Sequence, residues 1–345
     1  MITTSRFSPA WWLRNRHLQT IVPNTFRGLP HQSILRERIE LPDGDFADAD
    51  WTTRTQGPVV ILLHGLEGSR ESRYAAWMMK HLDDAGYRAV LLHFRGCSGE
   101  PNRTAGSYHS GHTADFDFFL RLLHEREPDV RVAAIGYSLG GNALLKWLGQ
   151  NGDNDGGKDA AEHRLETGVA VSVPFRLEYC SAAINRGFAR IYQAHLMRRM
   201  LRNARRKLAV IRAAGHDPDL DLLRSFRDFD EALTAPLHGF ENASDYYARA
   251  SSAQFLRHIT TPTLVIHASD DPFMTPDTVP REEELSKAVT LELSEHGGHV
   301  GFVGGRWPWK PEYWLEQRIL AHLREFLPID APVTKRTERI SAETA

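Results

Sequence analysis

The spacing of apolar residues along this chain changes character near residue 58. Before it, Ser33 to Leu41 and Ala49 to Arg54 read as two strands joined by an Asp43-Gly44 turn. After it come short continuous apolar runs: Val59 to Leu63 (VVILL), Arg88 to His93, Val130 to Gly136, Gly168 to Val173, Thr263 to Ala268 and Val289 to Leu293. Runs of that length without alternation predict strands buried on both faces. Between them, Tyr74 to Ala85 has helical spacing and stops at Gly86, Thr113 to Glu125 carries Asp115 and Asp117 in its first turn, and Asn142 to Gly149 continues the series. A last helix is predicted from Pro311 to Phe326. Alternating buried strands and helices predict a mostly parallel sheet with helices on both faces.

Two stretches interrupt the alternation. Gly152 to Asp159 (GDNDGGKD) predicts an exposed loop, and Pro174 to Ile259 is helical in spacing with no strand run. The second sits between two sheet strands and predicts an insertion over one end of the sheet. The chain therefore divides into an aromatic strap of irregular structure (1–32), a first core part (33–173), a helical lid insertion (174–259), a second core part (260–328) and a polar tail (329–345).

Composition narrows the class. The chain has 345 residues, 41% hydrophobic and 25% charged, with a formal net charge of −2, so no global basic character points to nucleic acid. Cys97 and Cys180 are the two cysteines, without metal-ligand spacing, which fits a reducing compartment. No apolar stretch approaches the ~20 residues that span a bilayer. The expectation is a cytoplasmic enzyme.

The chemistry concentrates after the strands. Gly136-Tyr137-Ser138-Leu139-Gly140 is a G-x-S-x-G motif between a buried strand and a helix. In that context the serine sits on a strained turn with its hydroxyl exposed, and the Leu139 N–H points at the reacting oxygen. His64-Gly65-Leu66-Glu67-Gly68 follows the VVILL strand, and the Leu66 N–H is the expected second oxyanion donor. Asp270 and Asp271 follow a late strand; the position directly before Pro272 favours Asp271 as the residue that orients a histidine, with Asp270 bracing the loop. His296 and His299 follow the last strand; Gly297-Gly298 favours His299, with His296 as the fallback. The order Ser138, Asp271, His299 is that of the serine triad on an α/β-hydrolase fold. His109 and His112 lack a third ligand in pattern, so no metal and no cofactor is expected.

These segments resemble the YheT-like α/β-hydrolase family. The resemblance is carried by Phe7 to Asn15 (FSPAWWLRN) with His17-Leu18-Gln19-Thr20, by His64 to Ser69 (HGLEGS) and by His93 to Gly99 (HFRGCSG). It continues in Gly136 to Asn142 (GYSLGGN), Asp270 to Phe273 (DDPF) and Gly297 to Phe302 (GGHVGF). It implies a triad of the serine, one aspartate of the pair and His299, and hydrolysis of small-molecule carboxylic esters. The family's animal relatives carry a membrane anchor and act on lipids; no anchor is seen here.

Residues 186–212 hold nine Arg or Lys and no acid, with Met197, Leu201, Ala204, Leu208 and Ile211 at helical spacing. Two readings stay open. One is a basic lid that makes peripheral contact with an anionic lipid surface or binds an acidic substrate. The other, preferred, is a solvated helix face paired with the acids of 217–231. Phe175, Phe188, Tyr192, Met197 and Met200 are candidate linings of an acyl pocket.

Overall fold

The computed structural model describes residues 1–152 and 165–329. The loop expected at Gly152 to Asp159 lies outside these residues beyond Gly152, as does the tail from residue 330. In chain order the sheet strands are β1 (Ile2–Thr4), β2 (Ile34–Glu40), β3 (Phe46–Thr52), β4 (Val59–Leu63), β5 (Arg88–Leu92), β6 (Val132–Tyr137), β7 (Thr167–Val171), β8 (Thr263–Ala268) and β9 (Val289–Ser294). They form one sheet in the order β1-β9-β8-β7-β6-β4-β5-β3-β2. The pairs from β5 through β4, β6, β7, β8 and β9 to β1 are parallel, and β2 and β3 close the other edge antiparallel.

The VVILL run of β4 is buried throughout, and its side chains split by parity. Val59, Ile61 and Leu63 join a core with Phe116, Phe119, Leu144 and Leu148. Val60 and Leu62 join another with Met78, Leu82, Ile319 and Leu323. Period-two alternation thus feeds two apolar layers, one per sheet face. The helices covering them are α2 (Arg73–Asp84), α3 (Ala114–Arg126), α4 (Leu139–Gln150) and α11 (Trp314–Phe326). Because β4 has β5 on one side and β6 on the other, the strand order reverses there. Ligands bind outside the carboxyl ends of strands at such a point.

The amino-terminal segment corrects the expectation of irregular structure. β1 extends the sheet, with the Met1 ammonium donating to Val289 O at 2.7 Å. The helix α1 (Arg16–Thr25) is capped by Asn15, whose side chain accepts from the N–H groups of His17 and Leu18. The final helix also starts later than expected. Residues before it form a hairpin, β10 (Val303–Trp307) with β11 (Lys310–Tyr313).

Between β7 and β8 the chain forms α5 (Leu177–Ile184), α6 (Ala189–Arg206), α7 (Leu208–Ala213), α8 (Phe226–Phe229), α9 (Ala235–Leu237) and α10 (Ala243–Ala250). Met197, Ala204, Ile211, Leu220, Leu223 and Leu233 pack together as a small core of this segment. Its basic face is mixed in use. Arg205 and Arg212 pair with Asp221 and Asp217, each at 2.7 Å on the exposed surface, and such pairs contribute little stability. Lys207 turns inward, its Nζ donating to Asn102 Oδ1 at 2.6 Å and to Gly106 O at 2.9 Å. Among the described residues no helix is long and apolar enough to cross a membrane.

The inserted segment also buries Asp230, whose carboxylate accepts from the hydroxyls of Thr234 (2.6 Å) and Tyr247 (2.7 Å). Burial raises its pKa from 3.8 to about 6. The native state therefore holds this proton more tightly than the unfolded chain does. The associated stability is present below the unfolded pKa and is lost as pH rises toward and through the folded one. Asp230→Asn is expected to be more stable than the native sequence at pH 8, by up to about 3 kcal/mol from two pKa units. The difference should shrink as pH falls from 6 toward 4. Urea unfolding at both ends of that window tests this; a difference that ignores pH, or a less stable variant at pH 8, contradicts it.

Candidate active site

Ser138 occupies the turn between β6 and α4 with φ 52° and ψ −117°, a left-handed conformation that costs a non-glycine residue energy. The turn closes because its neighbours lack side chains. A Cβ on Gly136 would lie 2.4 Å from Gly140 O, and one on Gly140 would lie 2.4 Å from Leu63 O. The Ser138 N–H donates to Val171 O at 2.8 Å, which ties the turn to the next strand. Leu139 is the first residue of α4, so its N–H belongs to the set that no intrahelical carbonyl satisfies.

The turn after β4 lies beside it. Its amides are nearly all spoken for: Gly65 N–H donates to Tyr74 Oη (2.8 Å), Glu67 N–H to Tyr108 Oη (2.8 Å) and Gly68 N–H to Gly65 O (2.9 Å). Leu66 N–H has no acceptor among the described residues. Leu66, Leu139 and Ser138 line one cavity. His64 shapes the turn. Its buried ring bonds Gly65 O through Nδ1 (2.7 Å) and accepts the Phe94 N–H at Nε2 (3.1 Å), and burial lowers its pKa to about 3, so the ring is neutral.

The two aspartates after β8 part company. Asp271 Oδ2 lies 2.7 Å from His299 Nδ1, and its Oδ1 accepts the Phe273 N–H at 2.9 Å. Asp271 is 1% exposed, so its carboxyl group is shielded from water and held in place by these bonds. Asp270 braces the neighbouring loop instead: it accepts the Gly298 N–H at 2.9 Å and faces His296 Nδ1 at 3.3 Å. His296 sits on that outer contact, away from Asp271.

Several groups around His299 were not singled out from the sequence. The His299 N–H donates to Thr20 Oγ1 (2.9 Å), and the Val300 N–H donates to Ser172 Oγ (3.0 Å). Gln19, fully buried, accepts the Val303 N–H (2.7 Å) and donates to Leu13 O and Val303 O. The glycines of this loop admit α1: a Cβ on Gly298 would lie 2.6 Å from Arg16 O, and one on Gly301 2.3 Å from Gln19 O. The Phe273 ring stacks on the imidazole, with centroids 4.1 Å apart and planes at 24°. The His-Leu-Gln-Thr run thus has a structural task, holding the histidine loop from behind.

Ser138 and His299 face the same cavity, with a volume of about 890 Å³, at the carboxyl ends of the strands. No Ser138 Oγ–His299 Nε2 hydrogen bond is formed among the described residues; this contact is commonly long until substrate binds. Of the apolar candidates in the inserted segment, Tyr192 and Met200 line the cavity. The others do not. Phe175 is buried in the main core, Met197 packs inside the segment, and Phe188 lies tilted against His17 at the surface, with ring centroids 4.4 Å apart.

Comparison with known proteins bears on the fold and the family. The family model described as alpha/beta hydrolase fold matches residues 58–305. YheT of Escherichia coli, provisionally named an esterase, is 43% identical over 94% of this chain and 95% of its own length. The monoacylglycerol lipase of Saccharomyces cerevisiae is 32% identical over 74% of this chain and 58% of its own. Phospholipase ABHD3 of Homo sapiens is 26% identical over 90% and 77%. In three dimensions the esterase Pf2001 of Pyrococcus furiosus superposes with a TM-score of 0.55 at 16% identity, covering 95% of this chain and 98% of the other. The sheet order, the serine turn, the matched family and the breadth of the YheT similarity converge: this chain belongs to the alpha/beta hydrolase fold family, in the group that includes YheT.

Proposed function

We propose that this protein is a serine esterase that cleaves carboxylic esters through an acyl-enzyme, with Ser138 as nucleophile, His299 as general base and acid, and Asp271 as the residue that orients it. The observation that carries the reading is the closed Asp271–His299 pair facing the strained Ser138 across one cavity. Asp271 fixes the tautomer with the proton on Nδ1, which leaves Nε2 free to take the serine proton. Oγ then bonds to the ester carbon, and the carbonyl electrons move onto oxygen. The N–H groups of Leu66 and Leu139 are the two amides left to receive that oxyanion, each worth ~3 kcal/mol in comparable sites. His299 returns the proton to the departing alcohol. Water repeats the sequence on the acyl-enzyme, releasing the acid and restoring Ser138. Phe273, stacked on the imidazole, holds the ring plane while its charge changes.

The cavity argues for an acyl chain longer than acetyl, since Ile191, Leu196, Met200 and Leu233 of the inserted segment line it beside Ser138. The names of similar proteins, a monoacylglycerol lipase and a phospholipase, fit such substrates. Assay of p-nitrophenyl esters with and without an acceptor alcohol tests the reaction type. Hydrolysis should dominate; predominant acyl transfer would make the protein an acyltransferase using the same triad.

The inserted segment acts in this reading as a lid that sets chain length. Met200→Trp, which fills space in the cavity, is expected to lower kcat/KM on a long-chain ester at least about tenfold relative to acetate, since a few methylenes of lost pocket suffice. An unchanged ratio between the two substrates would remove the segment from substrate selection.

A further inference from the structure

Away from the triad, the fold gathers three imidazoles that are distant in sequence. His109 and His112 lie on the loop between β5 and α3, and His238 directly follows α9 in the inserted segment. One nitrogen from each ring can be chosen so that all three lie within 4.8 Å of one another. The His109 ring meets those of His112 and His238 at centroid distances of 5.4 and 4.7 Å. Phe240 and Tyr246 wall the cluster, edge-on to His109 at 5.2 and 5.6 Å. Space for His238 is kept by a glycine: a Cβ on Gly106 would lie 3.1 Å from its Cε1.

The cluster also leaves a polar atom unexplained. Asp115 Oδ1 lies 3.1 Å from His112 Nε2, but out of line for a ring N–H, and that nitrogen is buried with no hydrogen-bond partner among the described residues. A buried polar atom in that state usually marks a water or an ion. Asp115 is itself fixed by Arg95, at 2.6 and 2.8 Å, so its place beside His112 is set independently of that ring.

We infer that His109, His112 and His238 form a binding site for a divalent transition-metal ion of the zinc type, which ties the inserted segment to the core. Three nitrogen donors and no carboxylate among them disfavour magnesium and calcium. Tetrahedral zinc with Zn–N of ~2.0–2.1 Å needs ligand nitrogens about 3.4 Å apart, so the rings close by roughly 1 Å or more on loading. His109 Nδ1 now accepts the Gly111 N–H at 3.2 Å; coordination through Nε2 moves the ring proton to Nδ1 and gives up that one long bond. The ammonium groups of Lys146 and Lys207 are held nearby on Gly111 O and Gly106 O, so the ion binds against some like charge. His109 and His238 also line the substrate cavity, which places the ion in its wall.

The test uses the full chain stripped with a chelator and titrated with Zn²⁺ by calorimetry to about 100 μM, a range that captures micromolar affinity. One ion per chain, a raised Tm, and an X-ray absorption spectrum of the loaded native protein with three imidazole nitrogens are expected. His238→Ala and His112→Ala should each weaken binding by on the order of a hundredfold, while the exposed His31→Gln leaves it unchanged. Absence of binding, a metal shell without imidazoles, or undiminished affinity in both cluster variants overturns the inference. The absorption spectrum decides the matter even where a variant fails to fold, and neither readout depends on esterase activity.

Discussion

Ser138→Ala is expected to lower kcat on a p-nitrophenyl ester by on the order of a millionfold, with KM changed little. The argument is chemical rather than structural. Without Oγ no acyl-enzyme forms, so water must attack the ester directly, and a histidine aligned for a serine hydroxyl serves it poorly. The residual rate should still exceed that in water by about 10³-fold, because the Leu66 and Leu139 amides and the cavity remain. The same change relieves no strain: alanine adopts φ 52° no better than serine, so stability should be near that of the native sequence. A variant that keeps even a hundredth of the native rate would mean that another residue is the nucleophile.

The second large effect separates two adjacent carboxylates. Asp271→Asn is expected to lower kcat by about 10⁴-fold, because an amide facing Nδ1 can donate where the carboxylate accepted and so favours the wrong tautomer. The 2.7 Å contact to His299 and the near-complete burial of Asp271 leave no room for water to substitute. Asp270→Asn should act mainly through stability. It alters the bond to the Gly298 N–H (2.9 Å) and the contact to His296, both one step removed from the imidazole. Steady-state kinetics on one ester, with thermal melts of both variants, distinguish the two. Equal or reversed losses in kcat would show that the carboxylates were assigned the wrong way round.

The parts of this fold that could be read from the sequence are those whose constraints are local. A buried parallel strand must be a short apolar run, and the serine turn must have small residues on both sides of the nucleophile, so β4, β6 and the Gly136–Gly140 turn announce themselves. The same holds for the glycines before His299. What escaped notice depends on contacts between distant parts of the chain. β1 is three residues of mixed polarity, and only its register with β9 makes it a strand. Gln19 and Thr20 fall in a stretch that reads as irregular; their bonds to Val303 and His299 span 284 and 279 positions. Phe273 was visible as part of a motif, yet its stacking on the imidazole follows from how the loop after β8 folds back. The third histidine of the cluster was invisible for the same reason, since His238 reaches His109 through the packing of the inserted segment. Periodicity likewise could not sort the inserted segment's apolar residues, because Met197 and Met200 lie on one helix, yet Met197 is buried in the segment's core while Met200 packs at its edge and also lines the cavity.

The central claim is that Ser138 is a nucleophile activated by His299. Its most direct test is reaction of the native protein with a fluorophosphonate probe, followed by peptide mapping of the adduct. The probe mimics an ester, and phosphonylation needs the serine, its base and the oxyanion donors all in working order. A single adduct on the peptide containing Ser138, abolished in Ser138→Ala and sharply slowed in Asp271→Asn, is the expected result. Native protein that stays unlabelled where a control serine hydrolase reacts, or an adduct on another residue, would contradict the account.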